Sequence, residues 1–203
     1  LNLPLDNNYE SIAMNEKEWV RTIIKDLEGS LNQNKDNHNI RVEDSKKIPY
    51  SSEILSYSGE DPVGHNDIRY ETDILVYEKV NKDAWIPRVI IEAKIGKITT
   101  HDAITYSQKA RTHKNVHPYL RYGILIGNRL HHPLPGRLFR HGQHFDFMLS
   151  WKELQAADNE WNQLITILND EIKASRTLEE MIYRSRSKSR IHYTSLHKPL
   201  RMK

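Results

Sequence analysis

Asp73, Glu92 and Lys94 are the residues of this chain whose types and spacing could do chemistry. In a strand, residues two apart point to the same face, so Glu92 and Lys94 share one while Ala93 points away. Asp73 opens one apolar run and Glu92-Ala93-Lys94 closes the next. If the two runs pair antiparallel, the start of the first lies beside the end of the second. Two carboxylates and an ammonium then meet at one end of a hairpin. Paired oxygen ligands suit a hard cation such as Mg²⁺, which keeps several waters and takes one or two carboxylates. Such an ion can bind a phosphate, activate a water and stabilise a leaving oxygen. Lys94 can then orient the water, neutralise charge developing on phosphorus or, with a lowered pKa, act as a base. The other reading is a surface salt-bridge trio, which would be worth little. Against it stand the flanking Ile74, Leu75, Val76, Val89, Ile90, Ile91 and Ile95, as apolar as a core. Charges at the end of a core strand need pairing or a metal.

The elements that must position these groups follow from periodicity. Trp19, Ile23, Leu27 and Leu31 recur every four residues and predict a helix from Asn15 to about Leu31. Asn15 is its N-cap, with Glu16 and Glu18 in the first turn where the helix dipole favours acids. Residues 32–39 read as a loop, and residues 40–69 as mostly loop with short strands, punctuated by Pro49, Gly59, Pro62 and Gly64. Strands are expected over Asp73–Glu78 and Arg88–Lys94, with residues 79–85 forming the turn of an antiparallel hairpin. Thr99 or Thr100 caps a helix running to about His113. Tyr119–Ile126 is a buried strand, 128–143 a loop, and Phe145–Leu149 a short strand. A last long helix begins near Asp158 and continues through Leu178, Met181 and Ile182, followed by a basic run at 184–190 expected to fray. The order suggests an α/β fold, a mixed four- to five-stranded sheet flanked by helices.

Composition bounds the function classes. The 203 residues are 37% hydrophobic, which suits one compact domain with a core of about 15–150 and a C-terminal helix and basic tail over about 158–203. There is no cysteine, which excludes disulfides, thiolate zinc sites and cysteine nucleophiles and fits a reducing cytoplasm. No run approaches a membrane span, and the first residues do not read as a signal peptide. The chain opens at Leu1 without an initiator Met, from which a trimmed chain or a piece of something longer is expected. Net charge is only +3, but two basic clusters stand out, one from Arg129 through Arg137, Arg140, His141 and His144, the other from Arg176 to Lys203. They point to an anionic partner such as a phosphate backbone, or to a solvated loop and tail. The eleven histidines form no helix-borne zinc motif, and no Gly-rich phosphate loop is present.

Glu71-Thr72-Asp73, a hairpin, and Ile90-Ile91-Glu92-Ala93-Lys94 resemble the PD-(D/E)xK nuclease superfamily, which includes type II restriction endonucleases and Holliday-junction resolvases. The resemblance spans roughly residues 15–127, with Thr72 standing where the family has proline. It implies a restriction-endonuclease-like core and a metal-dependent endonuclease that hydrolyses DNA. Asp73 and Glu92 would hold Mg²⁺, with Mn²⁺ as a substitute. The carbonyl of Ala93 would be a further ligand and Lys94 would orient the water. Many relatives add a carboxylate from the first helix, and Glu16 matches it, with Glu18 competing. Tyr106, Gln108 and Lys109 on the following helix are candidates to face the site or the DNA. Lys109, Arg137 and Arg140 are candidate nucleic-acid contacts, which position a backbone without specifying sequence. The resemblance also implies a homodimer, or further domains or subunits of a restriction system. A catalytically silent DNA-binding subunit that kept the fold is the alternative.

Overall fold

In the computed structural model, residues 14–129, 133–184, 186, 188–189, 193–197 and 200–202 are described. Helix α1 (Glu16–Asn32) starts where expected, and a capping box builds its first turn. The Asn15 side chain accepts from the Glu18 N–H at 2.9 Å, and the Glu18 carboxylate accepts from the Asn15 N–H at 3.1 Å. Helix α2 (Thr100–Val116) opens the same way through Thr99 and Asp102. Helix α4 (Asp158–Tyr183) runs through Leu178, Met181 and Ile182 as the apolar pattern requires. Among the described residues no helix is long and apolar enough to cross a membrane.

Five strands make one mixed sheet in the order β1 (Ile40–Asp44), β4 (Ile74–Lys79), β5 (Trp85–Ile95), β6 (Arg121–Gly127) and β7 (Phe147–Ser150). The β1/β4 and β4/β5 pairs are antiparallel, and β5/β6 and β6/β7 are parallel. Strands β4 and β5 form the expected hairpin, with Ile74 opposite Ile91. Period-2 alternation divides the core between the two faces of the sheet. Ile74, Val76, Val89, Ile91 and Ala93 pack with Trp19, Leu27, Leu164 and Leu168 of α1 and α4. Leu75, Ile90, Tyr122 and Ile124 pack on the other face with Ala103 and Ala110 of α2 and Leu138. Arg88, 4% exposed at its side chain, pairs with Glu78 and Glu179 and ties α4 to the β4–β5 hairpin.

Two loop expectations are corrected. Residues 40–69 hold β1 and a long antiparallel ribbon, β2 (Lys47–Ser58) with β3 (Asp61–Glu71), separate from the main sheet. Both faces of its outer half meet solvent, so the sequence carries no hydrophobic alternation to reveal it, and Pro49 and Pro62 are tolerated because both strands are edges. Residues 128–143 contain a short helix, α3 (Gly136–His141), buried through Leu138 alone. One turn and a single apolar anchor leave no helical period to read. Within the run at 184–190, positions 185, 187 and 190 lie outside the described residues, as do His131 and His132.

Candidate active site

The β4–β5 register brings the start of one strand to the end of the other, and the acids come with it. Asp73 sits one residue before β4, and its Oδ2 accepts the N–H of Ala93 at 2.8 Å. That bond fixes Asp73 between the backbone positions of Glu92 and Lys94. Thr72 is buried and holds the approach to Asp73 by donating its hydroxyl and its N–H to the carbonyl of Lys46. Ala93 faces the core and Glu92 the opposite side, as strand alternation requires.

Glu92 is 1% exposed, yet its carboxylate is fully partnered. Tyr122 on β6 donates its hydroxyl to Oε1, and the ammonium of Lys109 on α2 lies 2.8 Å from Oε1 and 2.9 Å from Oε2. Lys109 is itself flanked by the rings of Tyr106 and Tyr70, at 5.5 and 5.8 Å from their centroids. Burial, with the nearby Glu92 charge and its hydrogen bond, pushes the Tyr122 hydroxyl well above its ordinary range, so it stays a donor.

Glu16 reaches the site from the first turn of α1. Its carboxylate lies 3.1 Å from the ammonium of Lys94 and accepts the N–H of Ile95 at 3.2 Å. Glu18, the competing acid, is spent on the capping box. Lys94 is therefore held by Glu16. Burial pulls its pKa down, but the hydrogen bond to Glu16 and the nearby Tyr106 outweigh that and leave it raised. Without a cation beside it, Lys94 is thus held as an ammonium.

Burial and the like charge of Glu92 raise Asp73 to about 6, against the N–H of Ala93 and the Lys109 charge, which lower it. Two carboxylates that repel each other in this way, with hard oxygen donors, fit a divalent cation in kind. Among the described residues no three acids or histidines are grouped as a ligand cluster.

The structure thus brings Asp73 to the backbone of Ala93, Glu16 to Lys94, and Lys109, one of the three candidates on α2, to Glu92. Arg137 and Arg140 lie elsewhere, on α3, where Arg137 donates to the carbonyl of Ile98 at 2.9 Å and Arg140 is exposed. The backbone carbonyl of Gln108 accepts the Thr112 hydroxyl at 3.2 Å. Sequence reasoning missed Tyr122. The signal was a tyrosine inside an otherwise apolar buried strand, whose hydroxyl must find a partner.

No family model matches the chain, and no curated protein matches it.

Proposed function

We propose that the chain is a metal-dependent phosphodiesterase of the PD-(D/E)xK kind that hydrolyses DNA. The observation that carries the reading is the Asp73 carboxylate bound to the N–H of Ala93, between Glu92 and Lys94, with Glu16 of α1 locking Lys94. The strand order supports it too: the acid-bearing hairpin is antiparallel, and the strand after the following helix pairs parallel to β5.

Asp73 and Glu92 would hold Mg²⁺ or Mn²⁺. When bound, the ion supplies stabilisation of negative charge on the phosphoryl oxygens. The chain's own groups do the positioning. Lys94 keeps its proton and donates hydrogen bonds, which orients the attacking water in line with the leaving oxygen. Glu16 limits where that ammonium can go. Tyr122 fixes the rotamer of Glu92, so the carboxylate does not reorganise as charge develops.

A second reading is favoured by one contact. Lys109 already neutralises Glu92, as an ammonium would in a silent subunit that kept the fold and needs no ion. Cleavage of supercoiled plasmid with Mg²⁺, Mn²⁺ or EDTA, beside Asp73→Ala and Lys94→Ala, separates the two. Metal-dependent nicking or linearisation lost in both variants is expected. DNA binding without cutting under any metal would leave the silent subunit.

A further inference from the structure

The parallel strands β5 and β6 end side by side, and a cleft opens at their carboxyl ends. Gly96 (φ 72°) and Asn128 (φ 59°) turn the chain out of the two strands, and the Gly96 N–H donates to the carbonyl of Gly127 at 2.8 Å. The cleft has a volume of about 660 Å³ and is lined by Lys97, Ile98, Arg129, Leu134, Pro135 and Arg137, among others. The cleft begins two residues beyond Lys94, about 7 Å along a strand, so what fills it lies next to the candidate site.

Charge says what would fill it. From Ala103 to Phe145 the sequence contains seven Lys and Arg and no Asp or Glu. Three of the seven are neutralised by acids from outside that stretch: Lys109 by Glu92, and Lys114 and Arg121 by Asp146, with Glu171 also on Arg121. Arg129 and Arg137 have no carboxylate partner among the described residues. They donate instead to the carbonyls of Gly96, Pro133 and Ile98, which orients them and leaves their charge uncompensated. The Nε of Arg129 is buried and has no hydrogen-bond partner among the described residues. Lys97 adds an exposed third cation from the β5 side.

Shape narrows the ligand. The volume falls in the range of about 300–1,000 Å³ that encloses small ligands, and walls of proline, leucine and isoleucine carry a few convergent polar groups. A duplex presents phosphates on a convex rod with its bases inside, so it can touch the rim but cannot enter. An unpaired nucleotide offers a phosphate to the cations and a flat base to the apolar wall.

We propose that this cleft takes an unpaired nucleotide of the substrate strand beside the scissile phosphate, so that the substrate is nucleic acid with a single-stranded segment at the cut. The assignment rests on the phosphodiesterase reading above for its role, but binding can be tested without cutting. In EDTA, fluorescence anisotropy compares a short single-stranded oligonucleotide, a blunt duplex of the same sequence and a free deoxynucleoside monophosphate. The expected result is single-strand binding about tenfold tighter than duplex. Lys97→Gln and Arg137→Gln should each weaken it severalfold and flatten its salt dependence by about 0.7 in log–log slope, the share of one phosphate contact. Lys97 is exposed, so its variant keeps the fold, which a melting curve verifies. Equal affinity for duplex, or single-strand binding unchanged in both variants, overturns the proposal. So does a monophosphate held as tightly as the oligonucleotide, which would make the cleft a site for free nucleotide. If the strand is held through Lys97 and Arg137 but no metal supports cutting, the cleft stands and the hydrolytic reading falls.

Discussion

The Lys109 ammonium contacts both oxygens of Glu92, at 2.8 and 2.9 Å, so the most buried acid of the site is neutralised by a residue seventeen positions on, across the β5–α2 connection. An ion pair this deep is stabilising mainly in the sense that neither partner can be removed alone. Lys109→Met leaves Glu92, 1% exposed, with only the Tyr122 hydroxyl among the described side chains. The expected cost is about 3–5 kcal/mol, the usual penalty for an uncompensated buried charge. Urea denaturation in EDTA measures it. On the proposed reading, Mg²⁺ or Mn²⁺ should then stabilise the variant more than the wild type, because Glu92 is freed for the ion. Equal metal-induced shifts in the two proteins would mean that Glu92 is no ligand.

Asp73 gives the site a pH signature. Its pKa is raised from 3.8 to about 6 by burial and by Glu92. The folded state therefore binds more protons than the unfolded state between those values, and stability falls as pH rises from about 4 to about 6, then levels. The penalty above that window is about 3 kcal/mol for a shift of this size. Asp73→Asn keeps an oxygen for the N–H of Ala93 and removes the charge. It should melt with the wild type near pH 4 and above it near pH 8. Melting curves in EDTA that stay parallel across the window would remove Asp73 from this role.

The acid-bearing hairpin was legible in the sequence because its strands are flanked by apolar residues and its chemistry by strand spacing. Asp73 reaches the backbone of Ala93, between Glu92 and Lys94, for the reason the pattern gave, an antiparallel pairing that joins one strand's start to the other's end. Glu16 was legible as a first-turn acid and reaches Lys94 because α1 begins at that end of the sheet. The β2–β3 ribbon was not legible, since pairs such as Ser52 with Asp67 and Asn66 with Glu53 satisfy each other across two solvent-facing strands and obey no core periodicity. Lys109 was legible as a residue of the following helix that could face the site, but its pairing with Glu92 was not, because that depends on how α2 lies over β5, a tertiary angle that no local pattern encodes.

Gly127 carries a packing prediction independent of function. It ends β6 directly beneath Trp19, whose ring atoms would lie 2.6 Å from an added Cβ. Trp19 cannot swing away, since it is fully buried and its indole N–H donates to the carbonyl of Leu154 at 2.7 Å. Gly127→Ala should cost about 1–3 kcal/mol by overpacking. Gly136→Ala, where an added Cβ meets open space, is the comparison and should be near neutral. Chemical denaturation of the two variants checks the ranking, and equal stabilities would show that α1 is free to shift away from the sheet.

Glu16 separates positioning from stability. Its side chain is 42% exposed, so the pair with Lys94 contributes little to folding, and Glu16→Gln should lower stability by under about 1 kcal/mol. The amide oxygen still accepts from the N–H of Ile95, but the charge that holds the Lys94 ammonium is gone. On the proposed reading, an ammonium free to wander by about 1 Å costs on the order of a hundredfold in rate. The loss should fall on kcat, with nucleic-acid affinity in EDTA not weakened, because the lost carboxylate repels a phosphate rather than binding it. Glu16→Gln in a Lys94→Ala background should then add little, since Glu16 acts through Lys94. Plasmid-cleavage rates for the two single variants and the double variant measure that coupling. Full additivity of the two losses would place Glu16 on a separate task, such as holding the ion itself.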